Sequence, residues 1–372
     1  MSTEGIFITP LEPGEGIRLA VKDLFDTAGI RTTYGSAVFD EHVPSETAEA
    51  VALLEAAGYT NVGKTNLHEF AYGITSQNLH YGTVPNPAAP GRTAGGSSGG
   101  SAAALAARLA DAALGSDSGG SIRIPAACCG IAGFKPTYGL VPTGGLFPLA
   151  PSYDHAGPMA RDVRGCVELM ETLVPGFAAE PLDSPGGVEV GVAWCEHADP
   201  LVRARVEEAA ASFPRRRAVE FPFPEGTTPA FQREIADVHR ELYAEQGELY
   251  GENIRPKIER CLAVSDGEAA AAQTAREAYR AGALAALEGV DLLLTPTLAF
   301  VPPPADIDEI ATRDGFIRFT YPFNALGWPA LALPCGAAED GLPASVQLVG
   351  RPGEDALVLA AGLALEAVAS RP

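Results

Sequence analysis

The chain has 372 residues, with 47% hydrophobic and 20% charged, which suits a globular protein able to bury one large core. Its 47 acidic residues outnumber 26 basic ones, and the net charge of −21 opposes binding to phosphate backbones and anionic membranes. No apolar run reaches the ~20 residues that span a bilayer, the first residues carry no basic and apolar leader, and neither the cysteines nor the histidines show metal-ligand spacing, so we expect a cytoplasmic protein without metal, nucleic-acid or membrane partner.

The stretch up to about Pro175 is dense in Gly, Ser and short apolar runs. Residues 47–57, TAEAVALLEAA, predict a helix closed by Gly58, and YTNVG at 59–63 predicts a strand. Gly58 to Thr65 matches the phosphate-loop pattern G-x-x-x-x-G-K-[ST], but that loop needs a strand before it and a helix after it. Here the order is reversed, and nucleotide binding is not expected. Gly95 to Ser101, GGSSGGS, runs straight into the Ala-rich helix SAAALAARLAD with Ser98 at the cap, which reads as a rigid active-site loop and not as a linker. Residues 112–116, AALGS, predict a buried strand leading into Gly115-Ser116-Asp117-Ser118-Gly119-Gly120-Ser121-Ile122-Arg123. That run sets a serine behind two glycines, where consecutive N–H groups can converge on an oxyanion. Taken alone it is more often a turn than a nucleophile. Asp117 and Arg123 are expected to form an ion pair that holds the loop.

Residues 184–191, with Pro185, Gly186 and Gly187, are the best candidate for an internal boundary. The part from 198 to 290 reads as charged helices, with Arg215-Arg216-Arg217 as a solvated loop between helix and strand. VDLLLTPT, PALALPCG and PASVQLVG predict strands, and EDALVLAAGLALEAVA a last helix. Together these elements predict an α/β fold: a single large domain over residues 1–372, with a central mixed β-sheet flanked by helices. Its core lies at about 15–175 and 288–372, with a helical covering segment at about 198–287.

Several pieces in order resemble the amidase signature family. They are Val21-Lys22-Asp23, Gly63-Lys64-Thr65-Asn66 with Glu69-Phe70, GGSSGGSAA at 95–103, GSDSGGSIR at 115–123 and GFKPTYGLVP at 133–142. Asp154, Gly157 and Pro158 follow, then DLLLTPT, PFNALGWPALALPCG, GLPASVQLVG and Glu366. The resemblance implies the amidase signature fold and a serine hydrolase that cleaves carboxylic amide C–N bonds through an acyl-enzyme. It implies Ser121 as nucleophile, Ser97 as a bridging serine on a cis peptide, and Lys64 as the base. The amides from Ser118 to Ser121 match an oxyanion hole, so Ser118, Gly119 and Gly120 are expected to bind substrate. No histidine lies near either serine block in sequence, and a lysine can serve as base once burial lowers its pKa from ~10.4.

The resemblance implies no cofactor and a small-molecule amide as partner, and leaves a homodimer open. A second reading is the glutamine-hydrolysing component of a tRNA-dependent amidotransferase, its A subunit. Against it, the V-K-D motif falls early, without the usual helical lead. Such subunits also place an Asp three residues before the Thr of T-x-P-x-N, where this chain has Ile317 before Thr320. Lower alternatives are a carbamate, ester or urea-type hydrolase of the same family, or a non-catalytic binding relative. Tyr34, Tyr72, Phe147, Leu149, Tyr153 and Phe323 lie near these motifs and could line a pocket, although core packing accounts for each equally well.

Overall fold

The short apolar runs of the first half form strands because they are bounded by turn residues, and those at 112–117, 132–135 and 155–160 are buried on both faces. The computed structural model describes residues 4–369 apart from 13, 180, 181 and 183. In chain order the first half holds β1 (Phe7–Pro10), β2 (Ile17–Lys22), α1 (Glu49–Ala56), β3 (Tyr59–Thr65) and the small pair β4 (Gln77–Asn78) and β5 (Gly82–Thr83). It continues with α2 (Gly99–Ala106), β6 (Ala112–Asp117), α3 (Arg123–Cys129), β7 (Ala132–Lys135), β8 (His155–Ala160) and α4 (Val163–Leu173). The second half holds β9 (Val190–Val192), α5 (Pro200–Ala211), β10 (Arg216–Ala218), α6 (Thr228–Gln246), α7 (Arg255–Leu262) and α8 (Asp266–Ala286). It ends with β11 (Leu292–Pro296), α9 (Glu309–Ile317), α10 (Tyr321–Leu326), β12 (Ala330–Ala337), β13 (Pro343–Val349) and α11 (Asp355–Ala369).

Eleven strands form one mixed sheet in the order β1-β3-β2-β6-β8-β7-β12-β13-β11-β9-β10. β2 runs parallel to both β3 and β6, and the antiparallel pairs follow from β6 to β11. The sheet continues across the candidate boundary at 184–191, because β9 pairs with both β11 and β10. The expected single α/β domain is therefore what the structure shows.

Side-chain alternation distributes the helices over the two faces. On β12, Leu331 lies under Gly362 of α11, while its neighbour Ala332 is aligned with Gly133, which faces Ala126 of α3. Thus α3 and α11 cover opposite faces; α2 packs with α3, and α4 packs with α11. The order of α1 before β3 confirms that Gly58 to Thr65 is not a phosphate loop.

Two local expectations change. Arg216 and Arg217 do not lie in a loop; they belong to the exposed edge strand β10, and Arg215 and Arg217 reach Glu189 at 3.1 and 3.7 Å. Charged residues on an edge strand discourage pairing with a further chain. Ser98 does stand at the N-cap of α2, but its hydroxyl donates to Ser116 O at 3.1 Å. The capping acceptor is Ser76, whose Oγ takes the Gly99 N–H at 3.2 Å. Long-range packing thus replaces the local cap, and a Cβ at Gly99 would sit 2.4 Å from that same Oγ.

The register of β2 on β6 is held at its start. Arg18 donates from Nε and Nη2 to the two carboxylate oxygens of Asp111 at 2.9 and 2.8 Å, just before Leu19 pairs with Ala112. A bidentate pair of this kind fixes orientation as well as distance.

Candidate active site

Three elements converge at one end of the parallel strands, where α/β folds commonly place their ligands. β2 ends in Lys22, β6 ends in Asp117 and turns through Ser118 to Ile122, and Ser97 stands just ahead of α2. Ser97 and Ser98 are anchored to the second serine loop through Ser98 N–H, which donates to Ser121 O at 3.1 Å. The Gly96–Ser97 peptide is cis, as the resemblance implies.

The lysine that meets Ser97 is Lys22. Its Nζ lies 2.7 Å from Ser97 Oγ and 2.7 Å from Ser116 Oγ, with all three side chains buried. Lys64, expected in this place, is elsewhere. Its Nζ donates to Phe25 O and Thr32 Oγ1, each at 2.6 Å, and stands 3.4 Å from Asp23 Oδ1. The reason is the pleat. Val21 is aligned with Lys64 and Lys22 with Thr65, and laterally aligned residues point to the same face. Thr65 points towards α2, where its hydroxyl meets Ser101 Oγ at 2.9 Å, so Lys22 points there too. Lys64 must point to the other face.

Both lysines are strongly desolvated. Burial pushes Lys22 down to about 7, against the opposing pull of Asp117 and Asp154. Burial also lowers Lys64, while the nearby Asp23 carboxylate opposes the shift. A lysine near 7 can be uncharged at neutral pH, and an uncharged amine can accept a proton.

The loop that carries Ser121 is braced by the expected ion pair. Arg123 donates from Nε and Nη2 to Asp117 at 3.0 Å each, and also reaches Gln347 Oε1 at 2.7 Å and Asn324 Oδ1 at 2.6 Å. Burial alone would raise the Asp117 carboxyl, but the Arg123 guanidinium outweighs it and holds Asp117 below the usual carboxylate range. Asp117 in turn takes Gly120 N–H at 2.7 Å and Ile122 N–H at 3.1 Å. This corrects one expected donor: Gly120 N–H is committed to a carboxylate. Gly119 N–H and Ser121 N–H have no acceptor among the described residues. Gly120 has φ +131°, and a Cβ there would meet Thr320 Oγ1 at 2.3 Å, so the turn requires glycine. The Ser118 hydroxyl donates to Asp154 Oδ1 at 2.5 Å, and Asp154 also accepts Leu149 N–H at 2.9 Å.

Ser121 is 6% exposed, and its Oγ has no hydrogen-bond partner among the described residues. The structure therefore joins Lys22 to Ser97 directly and Ser121 to the Ser97 segment through the backbone. Of the six aromatic and aliphatic residues near the motifs, Tyr34, Tyr72, Leu149, Tyr153 and Phe323 are buried in the core, and Phe147 is half-buried against Tyr34 at 4.5 Å. Sequence reasoning missed Lys22, Ser116 and Asn324 as parts of this site. The signal for Lys22 was its place at the end of a buried strand beside an acidic residue.

The Amidase family profile matches residues 9–359 of the chain. The chain belongs to the amidase family. It is 35% identical to the A subunit of glutamyl-tRNA(Gln) amidotransferase from Haloarcula marismortui, over 95% of each chain. It is also 35% identical to AtzE, the 1-carboxybiuret hydrolase component of Pseudomonas sp. strain ADP, over 96% of this chain and 84% of that one. Among solved structures, an amidase superposes with a TM-score of 0.87 at 39% identity, covering 95% of this chain and 84% of the other. As a member of the amidase family, this protein is a carbon–nitrogen hydrolase or a component of an amidotransferase. Among the described residues no helix is long and apolar enough to cross a membrane.

Proposed function

We propose that this protein is a serine amidase whose nucleophile is Ser121, whose proton relay is Ser97 and whose base is Lys22. The observation that carries the reading is the 2.7 Å contact between the buried Lys22 amine and Ser97 Oγ, beside the braced loop of Ser121. The Ser121 hydroxyl turns towards Ser97 as substrate enters, since catalytic hydrogen bonds often tighten only in the complex. Ser121 Oγ forms a bond to the amide carbon, and its proton passes through Ser97 Oγ to the neutral Lys22 amine. The oxyanion is met by the N–H groups of Gly119 and Ser121. Lys22 returns the proton through Ser97 to the leaving nitrogen, the C–N bond breaks and the amine departs. Water then attacks the acyl-enzyme by the same relay and releases the acid.

The test is labelling by a serine-reactive fluorophosphonate together with amine release from an amide panel. Wild-type protein should gain one adduct at Ser121, and Ser121→Ala should gain none and release no amine. Lys22→Ala should lose ~10²–10⁴-fold in kcat, the usual contribution of general acid–base catalysis. Full turnover by either variant would refute the reading.

A second reading rests on the similarity to the A subunits of glutamyl-tRNA(Gln) amidotransferases, seen also in that of Thermus thermophilus at 37% identity. The same serine chemistry would then release ammonia from glutamine for a partner protein. Ile317 disfavours it, because an apolar side chain stands where a carboxylate for the glutamine ammonium is expected. Ammonia release from glutamine only in the presence of such a partner would favour it.

A further inference from the structure

The turn between α9 and α10 leans on the serine loop. Thr320 Oγ1 donates to Gly119 O at 2.7 Å, and the ring of Tyr321 stands 4.0 Å from where a Gly119 Cβ would lie. Tyr321 also lines a cavity of about 380 Å³, together with Phe223, Thr228, Ile317, Arg318 and Asp314. Its size falls within the ~300–1,000 Å³ of small-molecule sites. The walls are mostly aromatic and aliphatic, with Thr228 as a neutral polar group and Arg318 and Asp314 as the two charged ones. Arg318 lies over the Phe223 ring at 5.2 Å and the Phe319 ring at 6.0 Å, and no carboxylate stands within ion-pair reach of it among the described residues. Asp314, on the same side of α9, does not pair with it.

The Arg318 guanidinium is exposed and held near two aromatic rings, and its donor fork matches a carboxylate. In a chain of net charge −21 an anion is repelled overall, so an anionic group enters such a cavity only where a cation is presented to it. Ile317, beside Arg318, offers hydrocarbon to whatever links that anion to the scissile amide.

We propose that this cavity takes the distal end of the substrate, and that Arg318 selects amides carrying a terminal carboxylate at the end of an apolar spacer. This rests on the amidase reading above, and fluorophosphonate labelling of Ser121 tests that reading by itself.

The experiment measures amine release from dicarboxylic acid monoamides of increasing chain length, each beside the plain alkyl amide of equal length. Wild-type protein should prefer the acid amides at the best length by about tenfold in KM, the scale of one charge-assisted hydrogen bond. Added salt should narrow that gap. Arg318→Leu should raise KM for the acid amides until the two series converge, with kcat for them held, and Arg318→Lys should restore part of the preference. Equal KM for both series in wild-type protein, or an equal rise in KM for both series on Arg318→Leu, would overturn the proposal while Ser121 still labels. Absence of labelling and of any hydrolysis would overturn the amidase reading with it.

Discussion

In the proposed relay a single ammonium group decides when the site can work. Lys22 is pushed down to about 7 by burial, so below that pH its amine is charged and cannot take the Ser97 proton. The free-enzyme profile of kcat/KM should fall about tenfold per pH unit below ~7 and level off above it. A limb near the ordinary lysine value of ~10.4 would show that burial does not lower the Lys22 pKa, and loss of the limb in Lys22→Ala would assign it to Lys22. Part of the candidate site was legible at this scale. The Asp117–Arg123 brace follows from its own run, while Ser97 and Ser121 were named through the resemblance, since each run taken alone reads as a turn or a loop. Lys22 was not separable from Lys64, because both end a strand and both follow small or apolar residues. Which of them faces α2 depends on the pairing of β2 with β3, which no residue states alone.

The elements around β2 give Lys64 a different task. Its amine ties Phe25 O and Thr32 Oγ1 together beside Asp23, so it closes the turn that leaves β2 directly after Lys22. Asp23 is itself pushed up by burial, with Lys64 as the main opposing influence. Lys64→Met would leave that carboxyl without its cation and should lower unfolding free energy by ~3–5 kcal/mol in a urea titration. Adding Asp23→Asn should recover part of the loss, and unchanged stability of the single variant would show that the pair is dispensable. β1, β2, β7, β8 and β9 were not read from sequence; β3, β6, β11, β12 and β13 were read well because their buried runs are short and bounded by turns. The cap of α2 was not, since its acceptor Ser76 arrives from a segment with no pattern of its own. The edge strand β10 was missed because three arginines look like a loop until a neighbour such as β9 pairs with them.

Across the whole molecule the covering helices are pinned over the sheet by buried polar contacts and not by a hydrophobic face alone. Glu69 takes Gly251 N–H at 2.9 Å from the segment before α7, and Lys257 of α7 reaches Tyr72 O at 2.7 Å and Glu309 of α9 at 3.0 Å. Carboxylates outnumber cations in the chain as a whole, and the net charge of −21 works against the compact state. Moving from low to physiological ionic strength shortens the Debye length to ~8 Å and should raise the melting midpoint in a thermal scan. A midpoint that falls with salt would mean that surface pairs such as Arg203–Glu207 outweigh the repulsion. The α/β class and the helical cover could be foreseen from periodicity; the strand order could not, because it depends on contacts far apart in the chain. The bidentate clasp of Arg18 on Asp111 has a mechanical meaning in this light. It works as the zero mark of a ruler: if β2 slid along β6 by one place, the amine of Lys22 would swing through the sheet to the wrong side. The surrounding loops can lengthen or shorten freely, while the spacing from clasp to amine has to stay fixed.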